Sequence, residues 1–174
     1  AKSKKTFNVC AIVATAMTGG TVLNYWASLP PEKRGILYVD TEQSKFHCKR
    51  VLSRILRLAG LPADVHPVGL EFLCLRGFAT KDRLKKIEEA IYEIEGLGLV
   101  VIDGIRDLAH DINSPGESTD LITKLMQWTD ERKIHIHTVL HLNKGDDNTR
   151  GHLGTELNNK AEAVLQITKD DFDR

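Results

Sequence analysis

The sequence contains few cysteines, no excess of charge of either sign and no long apolar run. Its three cysteines, Cys10, Cys48 and Cys74, lie far apart and form no CxxC pair, which argues against a disulfide scaffold or a zinc site and favours a reducing cytoplasm. Lys plus Arg and Asp plus Glu both number 24, so any contact with DNA must come from a local basic patch. No run approaches the ~18 apolar residues of a membrane span and no signal peptide is evident, so we expect no membrane association.

The apolar pattern predicts one α/β domain over residues 1–174. Domains commonly have ~100–200 residues, so this length suits a single core. Short β-favouring runs alternate with stretches of helical period, which implies right-handed crossovers and a three-layer α/β/α domain with a mostly parallel sheet. We predict strands at 36–39, 70–75, 99–102, 134–142 and 161–168, and helices at 45–59, 80–96 and 117–132. Residues 7–29 are predicted to form one helix kinked at Gly19-Gly20 or two separate helices, and residues 146–160 a glycine-rich loop.

The most informative stretch is an apolar run that ends in an acid. Leu99 to Ile102 are apolar, Asp103 follows, and Gly104 comes next, as in a doubly covered parallel strand that brings a carboxylate to its carboxyl-terminal edge. Ligands of open α/β sheets bind at that edge. In a protein that also has a phosphate-binding loop, such an acid holds the Mg²⁺ of a bound nucleotide, usually through water. The alternative is that Asp103 only caps a helix or a turn.

A second feature is the basic segment Ser3-Lys4-Lys5-Thr6, which precedes a helical pattern. It matches the tail of a phosphate-binding loop, in which Lys5 neutralises β/γ-phosphate charge and the Thr6 hydroxyl binds Mg²⁺. The full pattern GxxxxGK[ST] would place its first glycine before Ala1, and Lys4 stands where its second glycine belongs. We therefore expect the chain to begin inside this loop, after its strand. The alternative is a basic segment in which Thr6 caps the helix.

The strand predicted at 36–39 also leads into acidic residues, Asp40-Thr41-Glu42-Gln43-Ser44. A carboxylate beside a γ-phosphate can orient or deprotonate the attacking water, and Glu42 is our candidate for this general base. Asp40, Thr41 or Ser44 alternatively caps the following helix, and the two interpretations are compatible.

Further polar residues follow the strand predicted at 134–142. His141 or Asn143 suits a sensor of the γ-phosphate, while Lys144 and Arg150 could reach a neighbouring subunit's nucleotide or a DNA backbone. A merely solvated loop is the alternative.

The helix predicted at 45–59 carries Arg50, Arg54 and Arg57 on one side. We interpret them as a solvated face in preference to a contact with DNA or another subunit.

Together these motifs resemble the RecA/DnaB-type P-loop ATPases, above all the RepA-like ATPases and replicative helicases of plasmids and mobilizable elements. The resemblance covers nearly the whole chain. Its motifs are Ser3-Lys-Lys-Thr6, Leu-Tyr-Val-Asp-Thr-Glu42, Val-Val-Ile-Asp103, and His-Leu-Asn-Lys144 followed by Arg-Gly-His-Leu-Gly154.

The resemblance implies a RecA-like core that binds ATP and Mg²⁺, hydrolyses ATP and acts on single-stranded DNA. It implies that Glu42 activates water and that His141 or Asn143 senses the γ-phosphate. It also implies that Lys144 or Arg150 completes a neighbour's site in a homo-oligomeric ring, commonly a hexamer.

Three functions remain open at this stage. The first is an ATPase motor acting on DNA. The second is a regulatory switch that binds ATP and a protein partner with little hydrolysis. The third is a non-catalytic scaffold with a decayed site, which Lys4 supports, although the retention of Lys5, Thr6, Glu42 and Asp103 argues against it.

Overall fold

The fold is built around a parallel β-sheet, and the computed structural model describes residues 5–141 and 151–168. The elements follow in the order α1 (Lys5–Thr18), β1 (Thr21–Val22), β2 (Tyr25–Trp26), β3 (Gly35–Asp40), α2 (Lys45–Leu58), β4 (Leu70–Cys74), α3 (Thr80–Glu93), β5 (Leu97–Asp103), α4 (Pro115–Arg132), β6 (His135–Val139) and α5 (Gly151–Lys160). Two short 3-10 segments, Pro31–Lys33 and Ile105–Leu108, precede β3 and follow β5.

The sheet has four parallel strands in the order β4-β3-β5-β6. Strand β5 lies inside it and all seven of its residues are buried, as its unbroken apolar run requires. Asp40 of β3 is paired in register with Asp103 of β5, so the two strands bring acids to the same edge. The α/β class, the parallel sheet and the strands predicted at 36–39, 70–75 and 99–102 are confirmed.

Helices cover both faces of this sheet. Helices α1 and α2 pack on the face that presents Ile36 and Tyr38, while α3, α4 and α5 pack on the face that presents Leu37 and Val39. Alternate residues of β3 therefore enter opposite apolar layers, as the pleat of a strand requires. The three-layer α/β/α arrangement is confirmed, and none of the described helices is both long and apolar enough to cross a bilayer.

The prediction of helix across 19–29 is wrong, because this stretch forms a β-hairpin. Strands β1 and β2 pair in antiparallel register, joined by Leu23 and Asn24. Both linking residues have positive φ, 47° and 67°, as a tight two-residue hairpin turn demands. Gly19, with φ of 63°, ends α1 before the hairpin begins.

Two predictions near the end of the chain are also wrong. Residues 151–160, expected to be loop, form α5, which is held by the buried side chain of Leu153 and by its N–H, which donates to the Ile112 carbonyl at 3.0 Å. Residues 161–168, expected to be a strand, have no regular secondary structure, and Val164 and Leu165 are exposed. Their alternating pattern meets no partner strand within the described part of the chain.

Candidate active site

The candidate site lies at the carboxyl-terminal edge of β3 and β5, where Asp103 is the central acid. Asp103 is 8% exposed, and its Oδ2 accepts hydrogen bonds from the Tyr38 hydroxyl at 2.9 Å and the Thr6 hydroxyl at 3.2 Å. Gly104, and not Asp103, is the N-cap residue of the following 3-10 segment, and within the described residues the Asp103 side chain bonds to Tyr38 and Thr6, so the capping interpretation of Asp103 is wrong. Thr6 lies within the first turn of α1 with its hydroxyl directed to Asp103, so it is not a helix cap either.

Burial raises the pKa of Asp103 to about 6, although the hydrogen bonds from Tyr38 and Thr6 lower it in part. The neighbouring carboxylates of Asp40 and Glu42 add to the increase. A buried acid among other acids is a site where a bound cation is electrostatically favoured. The donors available, a carboxylate and a hydroxyl, are the hard oxygen ligands that Mg²⁺ prefers. The residues therefore fit Mg²⁺, directly or through water.

Lys5 brings a positive charge to this edge. Burial lowers the pKa of its ammonium group, and the carboxylates of Glu42 and Asp103 partly oppose that change. The α1 helix thus presents a half-buried lysine and a threonine hydroxyl, in consecutive positions, to the acids of β3 and β5. This is the arrangement that holding a polyphosphate with its Mg²⁺ requires.

Glu42 is the accessible acid of the site. Its side chain is 43% exposed, and Oε2 lies 3.9 Å from Nε2 of His141, beyond the end of β6. Its Cγ lies 2.9 Å from the position that a Cβ on Gly104 would occupy, so Glu42 sits directly over the residue that follows Asp103. A carboxylate that is open to solvent beside a buried acid is well placed to accept a proton from water.

Asp40 fixes the loop that carries Glu42. It is fully buried, its Oδ1 accepts the N–H groups of Glu42 and Gln43 at 3.0 and 2.7 Å, and its Oδ2 accepts the Gln43 side-chain amide at 2.8 Å. Ser44 occupies the N-cap position of α2 but makes no side-chain cap bond in the described structure. Of the three proposed caps, Asp40 is therefore the one that organises the turn, and Glu42 can still serve in chemistry.

A second set of hydrogen bonds stabilises the loop after β5, and these bonds were not predicted from the sequence. The Thr41 hydroxyl lies 2.8 Å from the Gly104 carbonyl and 3.1 Å from Asp107 Oδ2. Arg83 of α3 donates to the carbonyls of Leu75 and Asp107 at 3.1 and 3.0 Å, which ties the end of β4 to the same loop. Tyr38 was missed as well; the only signal was a tyrosine in a buried run, whose hydroxyl needs a partner.

We expect Gly104→Ala to destabilise the protein by about 2–5 kcal/mol. Gly104 has φ of 101°, and an added Cβ would lie 2.3 Å from the Thr41 hydroxyl oxygen, which its hydrogen bonds hold in place. Urea denaturation measures the loss in the free energy of unfolding. Gly116→Ala is the matched control, because no heavy atom of the described residues lies within 4 Å of its added Cβ. Equal stability of the two variants would contradict the packing described here.

The structure brings together five of the predicted site residues. Lys5, Thr6, Glu42 and Asp103 meet at the β3 and β5 edge, and His141 reaches Glu42 from β6. The other five lie outside the described residues: Ser3, Lys4, Asn143, Lys144 and Arg150.

Comparison with known families assigns the chain to a family. Residues 1–147 match the family model described as AAA domain, which is most of the chain. The chain belongs to the AAA domain family of P-loop ATPases. Neither a search of curated proteins nor one of solved structures finds a significant match.

As an AAA domain, the protein is an ATP-binding P-loop ATPase whose family generally binds nucleotide with Mg²⁺. The matched range contains Lys5, Thr6, Glu42, Asp103 and His141. The site built from contacts is therefore contained in the region that defines the family, and α5 lies beyond it.

Proposed function

We propose that this AAA domain hydrolyses ATP to act on single-stranded DNA, as a helicase-like protein in the replication, mobilization or recombination of a mobile element. The observation that carries hydrolysis is the convergence of Lys5, Thr6, Glu42 and Asp103 on one sheet edge. DNA as the substrate rests on the resemblance to the RecA/DnaB-type and RepA-like ATPases.

In this proposal Lys5 neutralises the β- and γ-phosphates, and Thr6 and Asp103 would hold Mg²⁺, which would supply Lewis-acid stabilisation of the phosphate charge. Glu42 takes a proton from water as the water oxygen bonds to the γ-phosphorus. The bond between that phosphorus and the bridging oxygen breaks, and ADP leaves with the electron pair. His141, or Asn143, contacts the γ-phosphate from the end of β6.

The proposal includes assembly into a homo-oligomeric ring such as a hexamer. Lys144 or Arg150 of each subunit then reaches the nucleotide of its neighbour, where an arginine stabilises charge that develops during phosphoryl transfer. The support for this arrangement is the family resemblance together with the place of these residues in the sequence, after β6.

The decisive test is ATP hydrolysis by the purified protein with and without oligo(dT). We expect DNA to raise turnover, and Lys5→Ala to lower it by about 10²–10³-fold, because one preorganised charge at the phosphates is lost. Lys85→Ala, at an exposed lysine of α3, is the matched control and keeps wild-type turnover. Hydrolysis that is insensitive to DNA would contradict action on DNA, and equal turnover of Lys5→Ala and wild type would contradict the site.

One sequence feature favours a second candidate, an ATP-dependent regulatory switch. Lys4 occupies the position of the glycine that normally lets the loop approach the phosphates. Such a switch would bind ATP and turn it over slowly, with or without DNA. A chain that binds no ATP would instead be the scaffold with a decayed site, which Lys4 also supports. Nucleotide binding without DNA-stimulated turnover in the test above selects this function instead.

A further inference from the structure

Helix α2 carries a strong local charge in a protein whose net charge is zero. Its 14 residues include five lysines and arginines and no aspartate or glutamate. The cations are Lys45, Lys49, Arg50, Arg54 and Arg57. Within residues 5–141 and 151–168, none of these five forms an ion pair with a carboxylate. The helix therefore presents positive charge that the described fold does not neutralise.

Most of this charge faces away from the core. The buried side of α2 is formed by Cys48, Val51, Ile55 and Leu56. At 3.6 residues per turn, Phe46, Arg50 and Arg57 fall on the opposite side. Lys49 lies at the margin of that side, and Lys45 is exposed in the first turn, nearer the buried side. All five are exposed, Phe46 to 68%. We call Lys45, Phe46, Lys49, Arg50 and Arg57 the α2 basic face.

Arg54 does not belong to this face. Its guanidinium lies 5.9 Å from the ring centroid of Phe7, so it packs toward α1. One arginine of the helix thus has a partner inside the fold, and the residues of the α2 basic face are left for an external partner.

The first turn of α2 lacks the residues that usually stabilise a helix N-terminus. Lys45 is its first residue, no acid occupies the first turn, and Ser44 makes no side-chain cap bond in the described structure. A cation at a helix N-terminus opposes the helix dipole, whose positive end lies there. This unfavourable placement has no compensating contact among the described residues, whereas an anionic partner would make it favourable.

A cleft adjoins the α2 basic face at the carboxyl-terminal edge of β3 and β4. Its volume is about 470 Å³, and its walls include Lys45, Arg76 and Phe78. Phe78 is 42% exposed, so the cleft offers an aromatic ring beside two cations. Sites that hold small molecules commonly measure ~300–1,000 Å³, so one nucleotide unit is of a suitable size.

We propose that the α2 basic face and this cleft bind single-stranded DNA, with phosphates along Lys45, Lys49, Arg50 and Arg57 and unpaired bases against Phe46 and Phe78. The inference rests on the proposed action on DNA and names the surface that performs it. Phosphate charge complements the cations, and exposed aromatic rings next to cations favour unstacked bases over a duplex or an acidic protein. It replaces the solvated-face interpretation of Arg50 and Arg57.

The first test reverses charge on the face with Lys49→Glu, Arg50→Glu and Arg57→Glu in one variant. We expect binding of fluorescent oligo(dT) to weaken by at least about 10-fold at moderate salt. The slope of log K against log salt should fall by about 2, because each phosphate contact on a single strand contributes ~0.7. ATP hydrolysis without DNA stays at the wild-type rate, since the edge residues that carry it are unchanged.

The matched control is Arg34→Glu, Lys133→Glu and Lys160→Glu, three exposed cations outside α2 that give the same net charge. It should bind oligo(dT) like the wild type. Equal weakening in both triple variants, or wild-type binding by the α2 variant, overturns the inference and leaves the proposed function standing. Failure of the wild type to bind oligo(dT) overturns the proposed function itself. Binding of the wild type to anionic phospholipid vesicles but not to oligo(dT) would assign the face to a membrane surface.

A second variant separates binding from folding. Lys45→Glu should raise the melting temperature by about 1–4 °C, because an acid at the start of α2 favours the helix dipole. The same variant should bind oligo(dT) more weakly. Phe46→Ala should weaken binding by about 5- to 100-fold through the loss of one stacked base. A stabilised Lys45→Glu protein with unchanged DNA affinity would contradict the inference without any ambiguity from misfolding.

Discussion

Glu42→Gln is expected to lower ATP turnover by about 10²–10⁴-fold, the usual contribution of a general base. Glutamine keeps the size of the side chain and its contact over Gly104, but it cannot accept the proton of the attacking water. The loop geometry should persist, because Asp40 holds the N–H groups of residues 42 and 43 through backbone bonds that the substitution leaves intact. Affinity for ATP in the presence of Mg²⁺ should therefore stay near that of the wild type.

Steady-state hydrolysis combined with equilibrium binding of a fluorescent ATP analogue separates these two effects. Glu71→Gln, at an exposed glutamate of β4, makes the same chemical change away from the edge and should keep wild-type turnover. Turnover of Glu42→Gln within a few-fold of wild type would show that another group deprotonates the water. Loss of ATP affinity together with turnover would show instead that Glu42 acts in binding.

The parts of this site that sequence could predict are those fixed by local pattern. Asp40 and Asp103 each end an apolar run, and Glu42 follows Asp40 by two residues. A buried parallel strand ends at an edge of the sheet, so the acid at its end lies at that edge as well. The predicted strands therefore put their acids at the same edge, and the structure adds that Asp40 and Asp103 lie side by side in paired strands.

The residues that sequence could not predict act over long separations. Tyr38 and Asp103 are 65 positions apart, and nothing near either residue signals that they share a hydrogen bond. Arg83 is one of many basic residues on an amphipathic helix, and only the packed structure shows that it ties β4 to the loop after β5.

The wrong predictions of secondary structure have both local and non-local causes. The hairpin at 21–26 depends on positive φ at Leu23 and Asn24. Asparagine adopts positive φ more readily than most residues, but leucine rarely does, so the turn was not predictable from these two residues. Residues 161–168 alternate like a strand, but a strand also needs a neighbour, and periodicity does not report one.

Asp103→Asn is expected to stabilise the nucleotide-free protein at pH 7.5 while abolishing Mg²⁺-dependent hydrolysis. The pKa of Asp103 is about 6 in the folded protein, above its ordinary value of 3.8, mainly because of burial. At ~1.4 kcal/mol per pKa unit, the ionised carboxylate lowers the free energy of unfolding by about 3 kcal/mol at pH 7.5. Asparagine carries no such charge, and its carbonyl oxygen can still accept from Tyr38 and Thr6.

Because the ionised carboxylate of Asp103 destabilises the folded protein, the stability difference between the wild type and Asp103→Asn depends on pH. Well below pH 3.8 the carboxyl is protonated in both the folded and the unfolded chain, so it costs no stability. As pH rises from about 4 to 6 the unfolded chain ionises first, and the wild type loses stability that Asp103→Asn retains. Urea denaturation in EDTA should therefore show a gap between the two proteins that is large at pH 7.5 and small at pH 4. Asp64→Asn, an exposed control, should show no comparable gap.

Whereas the stability of Asp103→Asn should rise, its ATP turnover should fall. Asparagine is a weaker ligand for Mg²⁺ than a carboxylate, so we expect ATP turnover to fall by about 10²-fold or more, and added Mg²⁺ should no longer stabilise the ATP complex. A variant that is more stable but inactive would show that Asp103 serves Mg²⁺ binding and lowers the free energy of unfolding. A variant destabilised at pH 7.5 would show instead that the hydrogen bonds from Tyr38 and Thr6 need the charge, and that Asp103 stabilises this edge even without a cation.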